Sequence, residues 1–149
     1  HLHTHGIVHR DLKSLNVVLH AGVPKICDLG VSRERSDDTI FMRSFCGTPA
    51  YLSPEMVSTQ PYTEKTDVWA MGVLLYELAA LRLPFLGNNL AEISTKISCA
   101  EFPPLPMHYS AELSRLMGAM LALKPEVRPD VVEVLRRTSE MLHGCRERR

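Results

Sequence analysis

The chain has 149 residues, enough for one domain with a core, since a chain of this size buries roughly 68–70% of its unfolded surface. Hydrophobic residues make up 45% and charged residues 23%, which is ordinary globular usage and excludes a disordered or fibrous chain as a first interpretation. Lys plus Arg, at 17, balance Asp plus Glu, also 17, so no overall charge would recruit nucleic acid or an anionic membrane, and we expect neither as a partner.

Two further features of the sequence bear on the cellular compartment of the protein. The longest apolar stretch, 68–81, carries Glu77 and is too short to span a bilayer, so it predicts a buried helix. The cysteines are widely separated with no CxxC pair, which favours free thiols in a reducing compartment over a disulfide framework or a zinc ribbon; they are Cys27, Cys46, Cys99 and Cys145. We therefore expect an intracellular protein, cytoplasmic or alternatively nuclear.

The first third of the chain predicts loops around one hairpin. Residues 1–16 mix histidines, glycine and charges with few apolar anchors, which indicates a short helical end and then a polar loop. Two β-branched runs, 16–19 and 24–27, flank Ala21-Gly22 and predict a small hairpin. From 31 to 55 no periodicity is sustained, so we expect a long functional loop there.

The middle of the chain predicts two helices. Thr63 is a candidate N-cap for a helix over 64–81 that ends before Pro84. This helix is apolar nearly all round, so we expect it at the centre of the fold. Asn88 or Asn89 is then suited to cap a shorter helix, whose apolar residues are Leu90, Ile93 and Ile97.

Two more helices are predicted towards the C-terminal end. Ser110 is a candidate cap for an amphipathic helix with apolar residues at the helical repeat, namely Leu113, Leu116, Met117, Met120 and Leu121. Asp130 and Glu133 form an acidic relative of the capping box. They introduce a last helix that carries Val131, Val134, Leu135 and Leu142.

Five ordered motifs carry the chemistry of the sequence. Residues 9–16 read HRDLKSLN, an Asp followed five positions later by an Asn, and residues 28–30 read DLG. Residues 47–55 read GTPAYLSPE, residues 67–69 read DVW, and Arg128 stands near the end. An Asp in a polar loop is by itself more often a turn former than a base. Because the five motifs occur together and in this order, however, they resemble the catalytic loop, magnesium motif, activation segment and central helix of eukaryotic-type serine/threonine protein kinases.

The resemblance implies a fold and a domain organisation. The fold would be mainly α (α+β), the large C-terminal lobe of the protein kinase fold with a small β-hairpin beside the catalytic loop. Residues 1–149 would be a partial kinase domain with catalytic loop 9–16, activation segment 28–55 and helical lobe 63–143. The sequence opens just before the catalytic loop, so we expect a longer parent protein whose N-terminal lobe completes the nucleotide site in cis, and an inactive segment in isolation.

The resemblance also implies the reaction and its residues. The cofactors would be ATP and Mg²⁺, and the substrates proteins with Ser or Thr acceptors. Asp11 would be the catalytic base, Lys13 would contact the γ-phosphate, and Asn16 and Asp28 would hold the magnesium ion. Thr48 would line the substrate pocket, and together with Lys13 it favours Ser/Thr over Tyr acceptors.

Four residues would have structural roles by the same resemblance. His9 would pack under the catalytic loop, Asp67 would accept hydrogen bonds from that loop's backbone, and Glu55 would form a buried ion pair with Arg128. A cluster of histidines at 1–9 invites a metal site, but the preceding helix end and the catalytic loop account for it better.

Regulation and subfamily are further expectations. Arg10 beside Asp11 is typical of kinases whose activation segment is ordered by phosphorylation, because a guanidinium next to the base favours an anion nearby. Ser44 is the first candidate phosphosite, with Arg10 and Arg33 as its cationic partners and Ser36 and Thr39 as alternatives.

Two alternatives stay open at this point. The stretches 44–49 and 52–55 look most like the NIMA-related kinases, whereas Ala50 and Ser14 point towards tyrosine-kinase-like enzymes. The rival function is a pseudokinase or binding scaffold, although a protein freed from catalysis usually loses one of the residues Asp11, Lys13, Asn16 and Asp28, which are all present here.

Overall fold

The computed structural model describes residues 1–29, 49–61 and 63–147. Within these ranges the architecture is mostly helical with one two-stranded antiparallel hairpin, which confirms the predicted fold class. No helix in this part of the chain is both long enough and apolar enough to cross a membrane.

The hairpin pairs β1 (Val17–His20) with β2 (Val23–Ile26), and Val17 lies opposite Ile26. Ala21 and Gly22 both have positive φ, 50° and 77°, which is the conformation that a tight two-residue hairpin turn requires. Both strands lie one residue closer to the turn than predicted, so His20 and Val23 are paired as well. Asn16 and Cys27 flank the hairpin; the Cys27 N–H donates to the Asn16 carbonyl, and the Asn16 N–H donates to the Lys13 carbonyl.

The segment after residue 48 is more ordered than the sequence suggests. A 3₁₀ turn covers Pro49–Tyr51, and a short helix, α1, covers Pro54–Val57. The prediction of a loop through residue 55 is therefore wrong for this part. Tyr51 and Leu52 are buried here, so packing on the core supplies the order that periodicity does not reveal.

The central helix is α2 (Lys65–Ala80). The Thr63 hydroxyl accepts a hydrogen bond from the Lys65 N–H at 3.3 Å, and Leu81 ends the helix with a φ of 55°. The α2 residues without measurable exposure are Val68, Trp69, Val73 and Tyr76. This burial confirms the central position predicted for the helix.

Helices α3 (Leu90–Cys99) and α4 (Ala111–Met120) begin at the predicted caps. The Asn89 side chain accepts a hydrogen bond from the Glu92 N–H at 2.9 Å, and Ser110 accepts one from Leu113 at 3.2 Å. Helices α2 and α4 approach so closely that a Cβ on Gly72 would lie 3.0 Å from the Leu121 side chain. A side chain at this position would require its neighbours to shift by a few tenths of an ångström.

The last helix, α5 (Val131–Glu147), departs from the prediction at its start. Asp130 caps it by accepting the Glu133 N–H at 2.8 Å, but the carboxylate of Glu133 does not complete the capping box. It binds Arg136 and Arg137 instead, and these hydrogen bonds lower the pKa of Glu133 to about 2. The apolar residues predicted for this helix also differ in burial: Val134 is buried, whereas Leu135 and Leu142 are exposed.

In the part of the chain that the structure describes, two clusters form the core. In the larger, Trp69 stacks on Phe85 with ring centroids 5.6 Å apart, and Phe102 meets Phe85 and Tyr76 edge-on. The smaller joins α2, α4 and α5 through Val68, Leu116, Met120 and Val134. Both clusters pack on α2, so that helix is a rigid base for the polar groups at its N-terminal end.

Candidate active site

The backbone of the 9–16 loop is attached to the N-terminal end of α2 by Asp67. One carboxylate oxygen accepts the His9 N–H at 2.8 Å, and the other accepts the Arg10 N–H at 2.9 Å. Arg10 has a φ of 71°, a left-handed conformation that costs a non-glycine residue about 1–2 kcal/mol. Charge-assisted hydrogen bonds to a buried carboxylate offset this cost and hold the loop in an otherwise disfavoured shape.

His9 connects this loop to the segment after the hairpin. The imidazole is buried; its Nε2 lies 3.3 Å from the Cys27 carbonyl, and its Nδ1 lies 3.4 Å from the Asp11 N–H. Because the backbone N–H donates to Nδ1, the ring proton is on Nε2. Cys27 in turn donates its own N–H to the Asn16 carbonyl at 2.9 Å. The residue that follows, Asp28, is thereby held next to the loop.

Asp11, Lys13 and Asn16 lie in direct contact. The Lys13 ammonium is 2.7 and 2.9 Å from the two carboxylate oxygens of Asp11. The Asn16 amide nitrogen donates to the Asp11 carbonyl at 2.8 Å and to its carboxylate at 3.1 Å. Asn16 is buried, whereas Asp11 and Lys13 keep about a quarter of their side chains open, 28% and 23%. The site thus has a fixed inner amide and an accessible carboxylate.

The residue types at this end of the loop suit a magnesium ion. The Asn16 amide points its nitrogen at Asp11, which leaves the Oδ1 acceptor for another partner. Asp28 is exposed and adds a carboxylate, with a φ of 63° that turns the chain after the hairpin. In the described part of the chain no three His, Cys, Asp or Glu side chains converge on one point. Two protein oxygens completed by phosphate and water are what Mg²⁺ commonly uses.

Glu55 and Arg128 form a buried pair below the site. Two parallel hydrogen bonds of 2.8 Å join the guanidinium to the carboxylate, and Thr66 adds a third to Glu55 at 2.9 Å. The remaining guanidinium N–H groups donate to backbone carbonyls, those of Lys65, Ala122 and Leu123. The guanidinium carbon also lies 5.0 Å from the centre of the Trp69 ring. All five N–H donors of Arg128 are satisfied, so the pair ties α1, α2 and 122–128 together.

The charge state of this pair follows from its contacts. Burial raises the pKa of Glu55, but the hydrogen bonds from Arg128, a backbone N–H and Thr66, together with the charge of Arg128, outweigh it, so the pKa is lowered from the ordinary value of 4.5. The carboxylate therefore stays ionised at neutral pH.

Several predicted residues lie outside the described residues. They are Thr48, the substrate-pocket candidate, Ser44 with its partner Arg33, and the alternatives Ser36 and Thr39. Arg10, the other predicted partner of Ser44, is described here through its backbone bond to Asp67.

Sequence reasoning missed two sets of contacts. His3 places its Nε2 atom 2.8 Å from the Asp67 carboxylate, although the two residues are 64 positions apart. Tyr51 bonds to Glu77 and Ser14, and burial together with the bond to Glu77 raises the pKa of its phenol. The sequence shows a histidine before the loop and a tyrosine within 47–55, but nothing in it indicates which residue either of them contacts.

Asp67 thus anchors a loop in which Asp11, Lys13 and Asn16 lie in contact. Comparison with known proteins gives the family to which the chain belongs. Residues 1–138 match the protein kinase domain model, so the chain belongs to the protein kinase domain family. Its resemblance to that family is thereby confirmed.

Named relatives agree with this assignment. Serine/threonine-protein kinase Nek5 of Homo sapiens is 40% identical over 139 residues, covering 92% of this chain and 20% of the relative. Human serine/threonine-protein kinase Nek2 is 43% identical over 132 residues, covering 88% and 30%. A putative serine/threonine-protein kinase A of Trypanosoma brucei brucei is 39% identical over 137 residues, covering 90% and 32%. The chain thus spans a fifth to a third of the length of these relatives.

Proposed function

We propose that the full-length protein is a serine/threonine protein kinase that transfers the γ-phosphate of ATP to Ser or Thr hydroxyls of protein substrates. The contact among Asp11, Lys13 and Asn16, on a loop anchored to Asp67, carries the proposal. Within the kinase domain this chain would supply catalytic loop 9–16, activation segment 28–55 and helical lobe 63–143. The nucleotide contacts of the smaller lobe would come from elsewhere in the same protein.

Asp11 is the group best suited to receive the acceptor hydroxyl. Its carboxylate is partly open, and Asn16 and Lys13 hold it in one orientation. It would accept a hydrogen bond from the substrate hydroxyl, orient the oxygen towards the γ-phosphorus, and take the proton as the new P–O bond forms, while the bond from the γ-phosphorus to the bridging oxygen breaks and ADP leaves. Phosphoryl transfer depends mainly on such positioning, so the rigidity of the loop is part of the chemistry.

The nucleotide end of the site uses the remaining charged and polar groups. Asn16 and Asp28 would hold a magnesium ion, which when bound neutralises charge on the phosphates. Lys13 contacts Asp11 in this structure. A shift of this flexible side chain towards an arriving γ-phosphate would leave one Asp11 oxygen for the substrate.

Acceptor specificity gives the direct test of this proposal. Lys13 and Thr48 support hydroxyl acceptors on Ser and Thr, so full-length protein supplied with Mg-ATP should phosphorylate those residues in a peptide library with matched Ser, Thr and Tyr acceptors. Radiolabel counting on the array measures this. A profile dominated by Tyr peptides would refute the assignment.

Regulation is proposed at the activation segment. A phosphate on Ser44 would place a dianion within this arginine-containing stretch, with Arg10 and Arg33 as partners. Mass spectrometry of the active full-length protein should find Ser44 phosphorylated, and Ser44→Ala should lower activity. Full activity in Ser44→Ala, with Ser36 and Thr39 unmodified, would mean that this segment is not the switch.

A further inference from the structure

A second attachment of the catalytic loop lies at Ser14. The Ser14 backbone N–H donates to the Tyr51 hydroxyl oxygen at 3.3 Å. The same tyrosine hydroxyl bonds to a carboxylate oxygen of Glu77 and lies 3.2 Å from Ser14 Oγ. The other Glu77 oxygen lies 3.5 Å from Ser14 Oγ. Three segments that are distant in the chain therefore meet in one polar cluster.

The direction of these bonds follows from the single proton of the phenol. A carboxylate is a stronger acceptor than a hydroxyl, so Tyr51 donates to Glu77. Its oxygen then accepts from Ser14. Tyr51 is buried, and burial and the bond to Glu77 both raise its pKa, so the phenol keeps this proton at neutral pH.

The cluster fixes a different part of the loop from Asp67. Asp67 holds the backbone of His9 and Arg10, at the N-terminal side of Asp11. Ser14 opens the 3₁₀ turn Ser14–Asn16, on the other side of Asp11 and directly after Lys13. Asp67 and Glu77 are ten residues apart on α2, about 15 Å along its axis. The helix thus supports the loop at two separated points, one direct and one through Tyr51.

We propose that Ser14 is a positioning residue whose N–H bond to Tyr51 sets the catalytic loop in register with residues 49–52. These residues follow Thr48, the proposed lining of the substrate pocket, so the bond relates Asp11 to the protein substrate rather than to the nucleotide. The proposal rests on the proposed kinase function. It predicts a defect in the use of peptide substrate with the KM for ATP unchanged.

The backbone conformation around Ser14 permits a substitution that removes the Ser14 N–H alone from the backbone hydrogen bonds. Lys13 is extended, with φ −160° and ψ 165°, which is the conformation preferred before a proline, and Ser14 begins a 3₁₀ turn, where the φ of proline fits. Ser14→Pro therefore removes the N–H with little strain. Ser14→Ala removes the hydroxyl but keeps the N–H, and is the matched control. Tyr51→Phe removes the acceptor from the other side.

Steady-state kinetics of the full-length protein give the first test. Ser14→Pro and Tyr51→Phe should each lower kcat/KM for a peptide by about 2- to 10-fold, the range of one neutral hydrogen bond. The double variant should be no worse than Tyr51→Phe alone, because the bond that Ser14→Pro removes is already absent in Tyr51→Phe. Ser14→Ala should lower kcat/KM less than Ser14→Pro does, because the N–H bond to Tyr51 remains. Multiplying effects in the double variant, or an equal rise in the KM for ATP, would overturn the proposal.

Hydrogen exchange tests the coupling without relying on activity. In Tyr51→Phe the Ser14 amide should exchange faster, whereas the Ile93 amide, bonded to Asn89 in α3, should not change. If the parent protein transfers no phosphate, the proposed function fails, yet faster Ser14 exchange still establishes the attachment. Unchanged Ser14 exchange in Tyr51→Phe would show that the bond does not hold the loop.

Discussion

Replacing Asp11 with Asn should lower kcat of the full-length protein by about 10²–10⁴-fold, the usual contribution of a positioned base. The amide keeps the size of the side chain but loses the negative charge, so it no longer takes the hydroxyl proton or holds Lys13 by an ion pair. Binding of Mg-ATP should persist, since Asn16 and Asp28 are unchanged. Single-turnover phosphoryl transfer, measured beside nucleotide binding, separates the two effects.

Asp130→Asn is the matched control. It makes the same change at the N-cap of α5, where Asn caps as well as Asp. This variant should keep the parental turnover. An Asp11→Asn protein with parental turnover would remove the basis for the assignment of a base.

Replacing Arg128 with Met should lower the free energy of unfolding by about 3–5 kcal/mol, because it leaves Glu55 as a buried charge without its partner. Three backbone carbonyls lose their donors as well. Denaturant unfolding of the full-length protein measures the change. Arg136→Met is the control, since Arg136 also pairs with carboxylates, those of Glu133 and Glu140, but on the surface, and the unfolding midpoint should stay close to that of the parent.

The difference in unfolding free energy between the parent and Arg128→Met should depend on pH, and this dependence tests whether the difference is electrostatic. The pKa of Glu55 is lowered in the folded parent, so the stabilisation is present above the unfolded value of 4.5 and is lost as the pH falls through the folded value. Without Arg128, burial should raise that pKa, and the variant gains relative stability when Glu55 takes up a proton. The gap between parent and variant should narrow from about pH 7 to about pH 4. A constant gap would indicate that lost packing alone destabilises Arg128→Met.

Local signals in the sequence predicted local structure well. The caps at Asn89 and Ser110 depend on groups three residues apart, so they can be read from a short window. The capping box at Asp130 and Glu133 was half wrong because two arginines, three and four residues further on, compete for the same carboxylate. A charge-assisted bond outcompetes a backbone N–H as the partner of a glutamate.

Contacts between segments that are distant in the chain could not be predicted from the sequence. Ser14 and Tyr51 are 37 residues apart, Tyr51 and Glu77 are 26 apart, and no pattern in either motif specifies the partner. The 3₁₀ turn and short helix within 49–57 were missed for the same reason. The buried residues of this segment pack on α2, and they show no helical or strand periodicity in the sequence. The residues of the catalytic loop were identified through resemblance, and the structure adds how α2 holds them.

The most direct test of the central claim compares the full-length parent with Asp11→Asn in one assay. Both are incubated with ATP radiolabelled at the γ-phosphate, Mg²⁺ and a mixed protein substrate, and the substrate is then hydrolysed to its phosphoamino acids. We expect label on phosphoserine and phosphothreonine with the parent, and a loss of about 10²–10⁴-fold with Asp11→Asn. Equal labelling by both proteins, or none by the parent, would contradict the assignment and favour a binding scaffold.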